Sequence, residues 1–157
     1  LGLEQVDVPA EFRQDPSWFR TGEPGRDGCR VPVPWSGTAA PFGFGPGEDQ
    51  PWLPMPEQWA DLTVERQAAD PDSTLTFFRE MLRLRREVTP GLTDSVDLLE
   101  SQPGTLAFGR GNLVCVVNCG AGPAKLPAEA GELLLSSGDG PVEGRLPEDT
   151  AAWFRAA

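Results

Sequence analysis

Residues 25–35 read Gly25-Arg26-Asp27-Gly28-Cys29-Arg30-Val31-Pro32-Val33-Pro34-Trp35, which places charged side chains between glycines and then enters a Pro-x-Pro-Trp segment. Glycine lets a backbone approach a ligand closely, and proline fixes the direction of the chain that follows. The pattern therefore predicts a rigidly held, charged loop, which suits a binding pocket better than an ordinary surface.

This stretch resembles a motif of the α-amylase superfamily of glycoside hydrolases (glycoside hydrolase family 13), in its α-glucosidase and oligo-1,6-glucosidase branch. There, a segment of the type (G/S)RD(G/N)xRxPxxW follows the eighth barrel strand and helps to line the glucose pocket. Further segments that resemble the family are spread over nearly the whole chain: Leu1–Leu3, Asp7–Arg20 with Phe12-Arg13-Gln14-Asp15-Pro16, Pro51–Pro54, Val64–Ser73 and Leu146–Ala151. The resemblance covers only the last third or so of a typical member.

The resemblance implies an α+β fold, in which the loop-rich end of a (β/α)8 barrel with its last helix precedes a small antiparallel β-sandwich. Residues 1–90 would form the C-terminal tail of the barrel catalytic domain, and residues 91–157 the C-terminal β-sandwich domain. Composition also changes along the chain, because residues 1–72 are rich in Pro, Gly and Trp. Within them, the Pro- and Gly-rich run at 41–47 can continue neither a helix nor a central strand, which is typical of a functional or pinned loop.

Apolar residues at helical spacing predict a helix from about residue 73 to residue 88. Ser73 can cap its free backbone amides, and Arg83 and Glu87 are spaced to pair along its outer face. The apolar stripe of this helix is expected to belong to the core. A weaker helix pattern covers residues 56–60 and can extend to residue 69.

From residue 96 onward, the chain has the pattern of short strands separated by turns. The predicted strands are Val96–Ser101, Thr105–Arg110, Leu113–Asn118, Glu132–Ser136 and Ala151–Phe154. Because the third of these carries apolar residues on both faces, it is expected at the centre of its sheet. The spacing favours a small antiparallel sandwich.

Charge and composition argue against several classes of function. The formal net charge is -11, whereas nucleic acids and anionic membranes require a basic face, so neither is an expected partner. No run of about twenty apolar residues occurs, and no membrane span is predicted. No signal peptide is visible, the chain opens at Leu1 in what looks like mid-sequence, and a cytoplasmic location is expected.

The cysteines are Cys29, Cys115 and Cys119. The last two stand four apart in an apolar strand, which puts their side chains on one face and suits neither a local disulfide nor a CxxC metal site. We expect buried thiols in a reducing compartment, and we expect no metal and no cofactor.

The chain contains no histidine and no tyrosine, which excludes Ser-His-Asp catalysis, Cys-His catalysis and a His-ligated zinc. Carboxylates remain for acid–base chemistry, and glycoside hydrolysis needs two of them, about 5 Å apart for retention of configuration. None stands in a context that matches the family's nucleophile, acid/base or third acidic residue, which lie on earlier barrel strands. We therefore assign no catalytic residue and expect no activity from this chain alone.

The resemblance implies that an arginine of the motif reaches the subsite of the terminal glucose, where it pairs with sugar hydroxyls and a catalytic carboxylate. A guanidinium suits this role because it has a fixed fork of donors and a permanent charge. Arg26 is the first candidate for substrate binding, and Arg30 is the second. The alternative is a structural ion pair, for example of Arg30 with Asp27, and Asp27 itself is expected to organise the loop.

Aromatic residues in the first half of the chain could stack on sugar rings or pack inside the fold: Trp35, Phe42, Phe44, Trp52 and Trp59. Packing is favoured for Trp52 and Trp59. For Phe42 and Phe44 an outer sugar contact stays as an alternative.

Two interpretations from different classes follow. In the first, the chain is the C-terminal portion of a retaining α-glucosidase that hydrolyses terminal α-linked glucose from short oligosaccharides; its partners are the α-glucoside and the missing N-terminal barrel portion. In the second, the chain is a stand-alone carbohydrate-binding or interaction module. A distinct enzyme built from Asp27 and another carboxylate has no positive support. Preference for α-1,4 or α-1,6 linkages depends on residues outside this chain.

Overall fold

Helices precede strands in the computed structural model, which describes residues 1–47 and 49–157. The helices are α1 at Pro16–Thr21, α2 at Val64–Ala69 and α3 at Thr74–Val88, with 3₁₀ turns at Ala10–Phe12, Asp27–Cys29 and Glu57–Leu62. The strands are β1 at Asp97–Leu98, β2 at Thr105–Arg110, β3 at Leu113–Asn118, β4 at Ala124–Lys125, β5 at Ala130–Ser136, β6 at Arg145–Leu146 and β7 at Thr150–Ala156. The predicted α+β class is confirmed. The chain divides into two compact units, Leu1–Arg79 and Glu80–Ala157.

The predicted helix at residues 73–88 is confirmed as α3. Ser73 caps it, because its Oγ accepts the backbone N–H of Thr76 at 3.1 Å. Arg83 pairs with Glu87 as predicted and with Glu80 at 2.5 Å. Within residues 1–47 and 49–157, no helix combines the length and the apolar character that crossing a membrane requires.

The apolar stripe of α3 is less buried than predicted. No residue of this helix is fully buried, and the side chain of Phe78 is 52% exposed. The prediction of a core position is therefore wrong for Phe78, because no segment of the described chain covers it.

The weaker helix pattern at residues 56–69 is divided in the structure. A 3₁₀ turn covers its first part, and Thr63 then adopts an extended conformation, with φ -62° and ψ 149°. The Thr63 hydroxyl accepts the backbone N–H of Arg66 at 3.3 Å and so begins α2 as a separate helix.

A buried aromatic cluster forms the core of the first unit. It contains Phe42, Met55 and Trp59. The backbone carbonyl of Phe42 accepts the N–H groups of Trp35 at 2.8 Å and Ser36 at 2.9 Å. The loop at 41–47 is therefore pinned by packing at Phe42, and the Pro-x-Pro-Trp segment is tied to it.

Strand β3 lies at the centre of the five-stranded antiparallel sheet of the second unit, as predicted. The strand order is β1-β2-β3-β7-β5, and β4 pairs with β6 in a separate two-stranded antiparallel sheet. The core of this unit combines residues of both sheets: Ala107, Val114, Val116, Leu146, Ala152 and Phe154. The bounds of β2 and β3 match their predictions, β1 is shorter than predicted, β5 and β7 are longer, and β4 and β6 were not predicted.

Candidate functional site: the arginine loop

The arginine loop, residues 25–30, has a shape that its two glycines permit. Gly28 lies against the backbone of Val6, whose N–H donates to the Gly28 carbonyl at 3.1 Å. A Cβ on Gly28 would stand 2.0 Å from the Val6 carbonyl oxygen. Gly25 has φ +65°, and a Cβ there would stand 2.5 Å from Cγ of Asp15. Glycine is therefore required at both positions, for close approach at Gly28 and for conformation and space at Gly25.

Asp27 organises this loop, as predicted. Its carboxylate is buried, and Oδ2 accepts the backbone N–H groups of Gln14 at 2.8 Å and Asp15 at 2.9 Å. Oδ1 accepts a terminal N–H of Arg30 at 2.5 Å. The N–H of Asp15, joined by that of Gln14 and by the Arg30 charge, lowers the pKa of Asp27 despite its burial.

Asp15 is the residue that our sequence reasoning missed. It is buried, and its Oδ1 accepts the N–H of Ser17 at 3.0 Å, which makes it the N-cap of α1. Its Oδ2 accepts both the backbone N–H and the Nε–H of Arg26, each at 3.2 Å. The Ser17 N–H and the Arg26 donors hold the pKa of Asp15 well below its usual range. The sequence Asp15-Pro16-Ser17 is a readable N-cap signal, but nothing in it indicates the bonds to Arg26.

The structure brings Arg26 and Arg30 together at Asp15, but their surroundings differ. The Arg26 side chain is 79% exposed, and among the described residues only its Nε has a hydrogen-bond partner. The Arg30 side chain is 50% exposed and bonds through NH2 to Asp27 at 2.5 Å and to Asp15 at 3.5 Å. The ion pair of Arg30 with Asp27 that was the structural alternative is therefore present, whereas Arg26 keeps both terminal nitrogens available.

The aromatic candidates separate into buried and exposed residues. Phe42 and Trp59 belong to the core, so the alternative of a sugar contact is wrong for Phe42. Trp35, Phe44 and Trp52 are exposed. The packing predicted for Trp52 is present at Phe12, where its Nε1–H donates to the carbonyl at 3.3 Å and the two rings meet edge to face, but the residue remains 63% exposed.

The cysteines do not form the predicted set of buried thiols. Cys115 is buried in β3, and its burial raises the pKa of the thiol to about 11. Cys119 follows the end of β3 and is exposed, and Cys29 is exposed in the arginine loop. The prediction is wrong for Cys119 because the strand ends at Asn118, whose side chain turns the chain by accepting the N–H of Gly120 at 3.0 Å.

Nothing in this loop resembles a pair of catalytic carboxylates. A general acid of a glycosidase needs a raised pKa, whereas the pKa values of Asp15 and Asp27 are lowered. Their oxygens are also occupied by N–H donors and arginine. Within the described parts of the chain, no group of three or more Cys, Asp or Glu side chains could hold a metal ion. The loop can therefore bind and orient a ligand through its arginines, and its carboxylates serve the loop itself.

Comparisons with known proteins identify relatives for both parts of the chain. Residues 2–94 match the family model "Alpha amylase, catalytic domain", and residues 104–153 match a domain of unknown function, DUF3459. A probable α-glucosidase of Rhizobium meliloti is 30% identical over 124 residues, which are 75% of this chain and 22% of that protein. A probable oligo-1,6-glucosidase 2 of Bacillus subtilis is 35% identical over 75 residues, 47% of this chain and 13% of that protein.

Solved structures extend the likeness to nearly the whole chain. The α-glucosyl transfer enzyme XgtA is 32% identical with a TM-score of 0.71, over 98% of this chain and 31% of XgtA. The trehalulose synthase MutB from Pseudomonas mesoacidophila MX-45 is 26% identical with a TM-score of 0.65, over 84% of this chain and 26% of MutB. The chain thus spans less than a third of the length of each of these relatives.

Proposed function

Because the chain belongs to the α-amylase family, we propose that it is the C-terminal portion of a retaining α-glucosidase, which hydrolyses terminal α-linked glucose from short oligosaccharides. In this proposal the arginine loop lines the pocket of the terminal glucose, and Arg26 contacts the sugar. Arg30 supports the pocket mainly by holding the loop. The names of the curated relatives, α-glucosidase and oligo-1,6-glucosidase, support the choice of substrate class.

The proposed role of Arg26 rests on one observation. Its Nε is held by Asp15, while the rest of an exposed guanidinium stays free to donate hydrogen bonds. A guanidinium fixed at one edge presents its other donors in a defined plane, which suits neighbouring hydroxyls or a carboxylate. Arg30 is less suited to this task, since its NH2 already bonds two carboxylates.

Catalysis in this proposal comes from carboxylates outside these 157 residues. Hydrolysis with retention requires a nucleophile and an acid/base about 5 Å apart. The two buried carboxylates at the arginine loop have lowered pKa values and occupied oxygens, so neither suits the acid/base role. The barrel portion that these carboxylates would occupy is the partner we propose.

Hydrolysis of p-nitrophenyl α-glucoside tests the proposal, with the complete gene product compared with a polypeptide of residues 1–157. We expect turnover by the complete protein only. Arg26→Ala should raise KM in the complete protein at least about tenfold, because a charge-assisted contact is lost. Arg20→Ala, an exposed arginine on α1, is the control and should leave KM unchanged. Turnover by residues 1–157 alone, or an unchanged KM for Arg26→Ala, would contradict the proposal.

The likeness to XgtA favours a second candidate function, transfer of an α-glucosyl group to an acceptor hydroxyl. That likeness covers 98% of this chain at 32% identity. Products of maltose and isomaltose digestion separate the two functions, since a hydrolase releases glucose and a transferase makes longer saccharides. Binding of maltose to residues 1–157 alone would instead support a stand-alone carbohydrate-binding module.

A further inference from the structure

We infer that Asp15 is the positioning residue for Arg26: it holds the arginine by its backbone and its Nε and leaves the terminal nitrogens for the sugar. This inference rests on the proposed sugar contact of Arg26. Asp15 itself would not touch substrate, since its buried carboxylate is already bonded to the loop and to α1.

Asp15 is anchored more firmly than the arginine that it holds. Its backbone N–H donates to Asp27, its Oδ1 caps α1 at Ser17, and Gly25 packs so closely that no Cβ fits between them. A carboxylate fixed on three sides cannot follow an exposed arginine side chain. The arginine therefore takes its orientation from the carboxylate.

Two contacts from one oxygen define that orientation. Oδ2 of Asp15 receives the backbone N–H of Arg26 and, at the same distance of 3.2 Å, its Nε–H. Because the backbone nitrogen and Nε of Arg26 are held at the same oxygen, fewer rotamers are open to the side chain. Ordering it on a ligand therefore costs less conformational entropy. The gain should appear as tighter ground-state binding, and therefore in KM.

Each buried aspartate thus has its own arginine. Asp27 bonds Arg30 at 2.5 Å, whereas the second contact of Arg30, with Asp15, is long at 3.5 Å. The lowered pKa of Asp15, caused first by the Ser17 N–H and then by the Arg26 donors, keeps its carboxylate charged in neutral solution. Arg26 therefore has a permanently ionised partner.

A double-mutant cycle in the complete enzyme tests the inference, with KM and kcat for p-nitrophenyl α-glucoside as readouts. The variants are Arg26→Ala, Asp15→Asn and the two combined. The control is Asp7→Asn, an exposed aspartate that pairs with Arg13 outside the loop. We expect Asp15→Asn to raise KM about tenfold, with kcat changed less than twofold, because its amide would present a donor to Arg26. In the Arg26→Ala background, the same substitution should change KM less than twofold.

The outcomes separate this inference from the proposed function. If Arg26→Ala leaves KM unchanged, the proposed function and the inference are both overturned. If Arg26→Ala raises KM but Asp15→Asn does not, the inference alone is overturned. A merely structural role of Asp15 would lower kcat or raise KM further in the Arg26→Ala background, and either result also overturns it.

Arg26→Lys keeps the inference testable if Asp15→Asn does not fold. The Arg26 side chain is exposed, so this variant should fold. A lysine ammonium, however, cannot bond Asp15 and at the same time offer the sugar the planar pair of donors that a guanidinium provides. We expect KM to rise about tenfold. A wild-type KM for Arg26→Lys would overturn the inference.

Discussion

Asp15 and Asp27 each hold the segment that carries the other. Oδ2 of Asp27 accepts the backbone N–H of Asp15 at 2.9 Å, and Oδ2 of Asp15 accepts the backbone N–H of Arg26, the residue before Asp27, at 3.2 Å. Both carboxylates are buried, and N–H donors and arginines compensate both charges. The loop therefore depends on two ionised aspartates.

This dependence predicts that the first unit loses stability in acid. The folded pKa values of Asp15 and Asp27 lie below the unfolded value of about 3.9. Their contribution to the free energy of unfolding is therefore complete above about pH 5 and is lost as the pH falls through the unfolded and then the folded pKa values. Tryptophan fluorescence can follow thermal unfolding of this unit, because Trp18, Trp35, Trp52 and Trp59 lie in it.

Asp27→Asn checks this assignment. The variant should melt at a lower temperature than the wild type at pH 7, and its melting temperature should fall less between pH 5 and pH 3. Equal pH slopes for the variant and the wild type would show that other groups cause the acid sensitivity.

Alanine at Gly28 should be costly, because its Cβ would meet the Val6 carbonyl oxygen at 2.0 Å. We expect a loss of about 2 kcal/mol or more in the free energy of unfolding, since a backbone atom must move. Gly22→Ala is the matched control: Gly22 has φ +78° and nothing near its Cβ position, so only conformational strain of about 1 kcal/mol is expected. Urea denaturation measures both, and equal losses would contradict the steric argument.

Phe42 and Phe44 offer a paired test of the pinned loop. Phe42 is 1% exposed and packs with Met55 and Trp59, so Phe42→Ala should cost about 3–5 kcal/mol of unfolding free energy. Phe44 is 41% exposed, and Phe44→Ala should cost under about 1 kcal/mol. Urea denaturation followed by tryptophan fluorescence gives both values. A small loss for Phe42→Ala would mean that the aromatic cluster does not hold the loop.

Thiol reactivity should separate the cysteines in the folded protein. Cys29 and Cys119 are exposed and should react with Ellman's reagent at pH 8 within minutes, whereas buried Cys115, with a pKa of about 11, should react only on unfolding. Cys115→Ala is the control, since it should remove the slow phase alone. A fast reaction at Cys115 would show that the central strand opens readily.

The regular parts of the fold were predictable because their signals are local. In β2 and β3, apolar side chains either alternate along the strand or occupy both of its faces, and turn residues flank each strand. The predicted bounds of both strands match the structure. Strands of two residues, such as β4 and β6, have no periodicity to detect. The burial of Phe42 was not predictable from its Gly- and Pro-rich surroundings, because its partners Met55 and Trp59 lie further along the chain.

The sequence motif identified the candidate arginines, but it did not identify the buried carboxylate that holds Arg26. The resemblance indicated Arg26 and Arg30 as candidates, and the ion pair of Arg30 with Asp27, which was the structural alternative for Arg30, is present in the structure. The sequence indicates that Asp15 is an N-cap, and its Oδ1 has that role. It does not indicate that Oδ2 of the same carboxylate bonds Arg26 in the loop. The bond between Asp15 and Arg26 joins two segments that meet only after folding, and no residue spacing in the sequence indicates it.

The hydrogen bonds that hold the arginine loop to Val6, Gln14 and Asp15 all lie within residues 6–30. A chimaera that grafts only Gly25–Arg30 into another member of the family would leave behind the capping aspartate and the carbonyl that Gly28 faces. Exchange of residues 6–30 as one cassette would carry both. The smallest piece that can be transplanted with its contacts is therefore the whole segment, and recombination between relatives should tolerate crossovers at its ends better than crossovers within it.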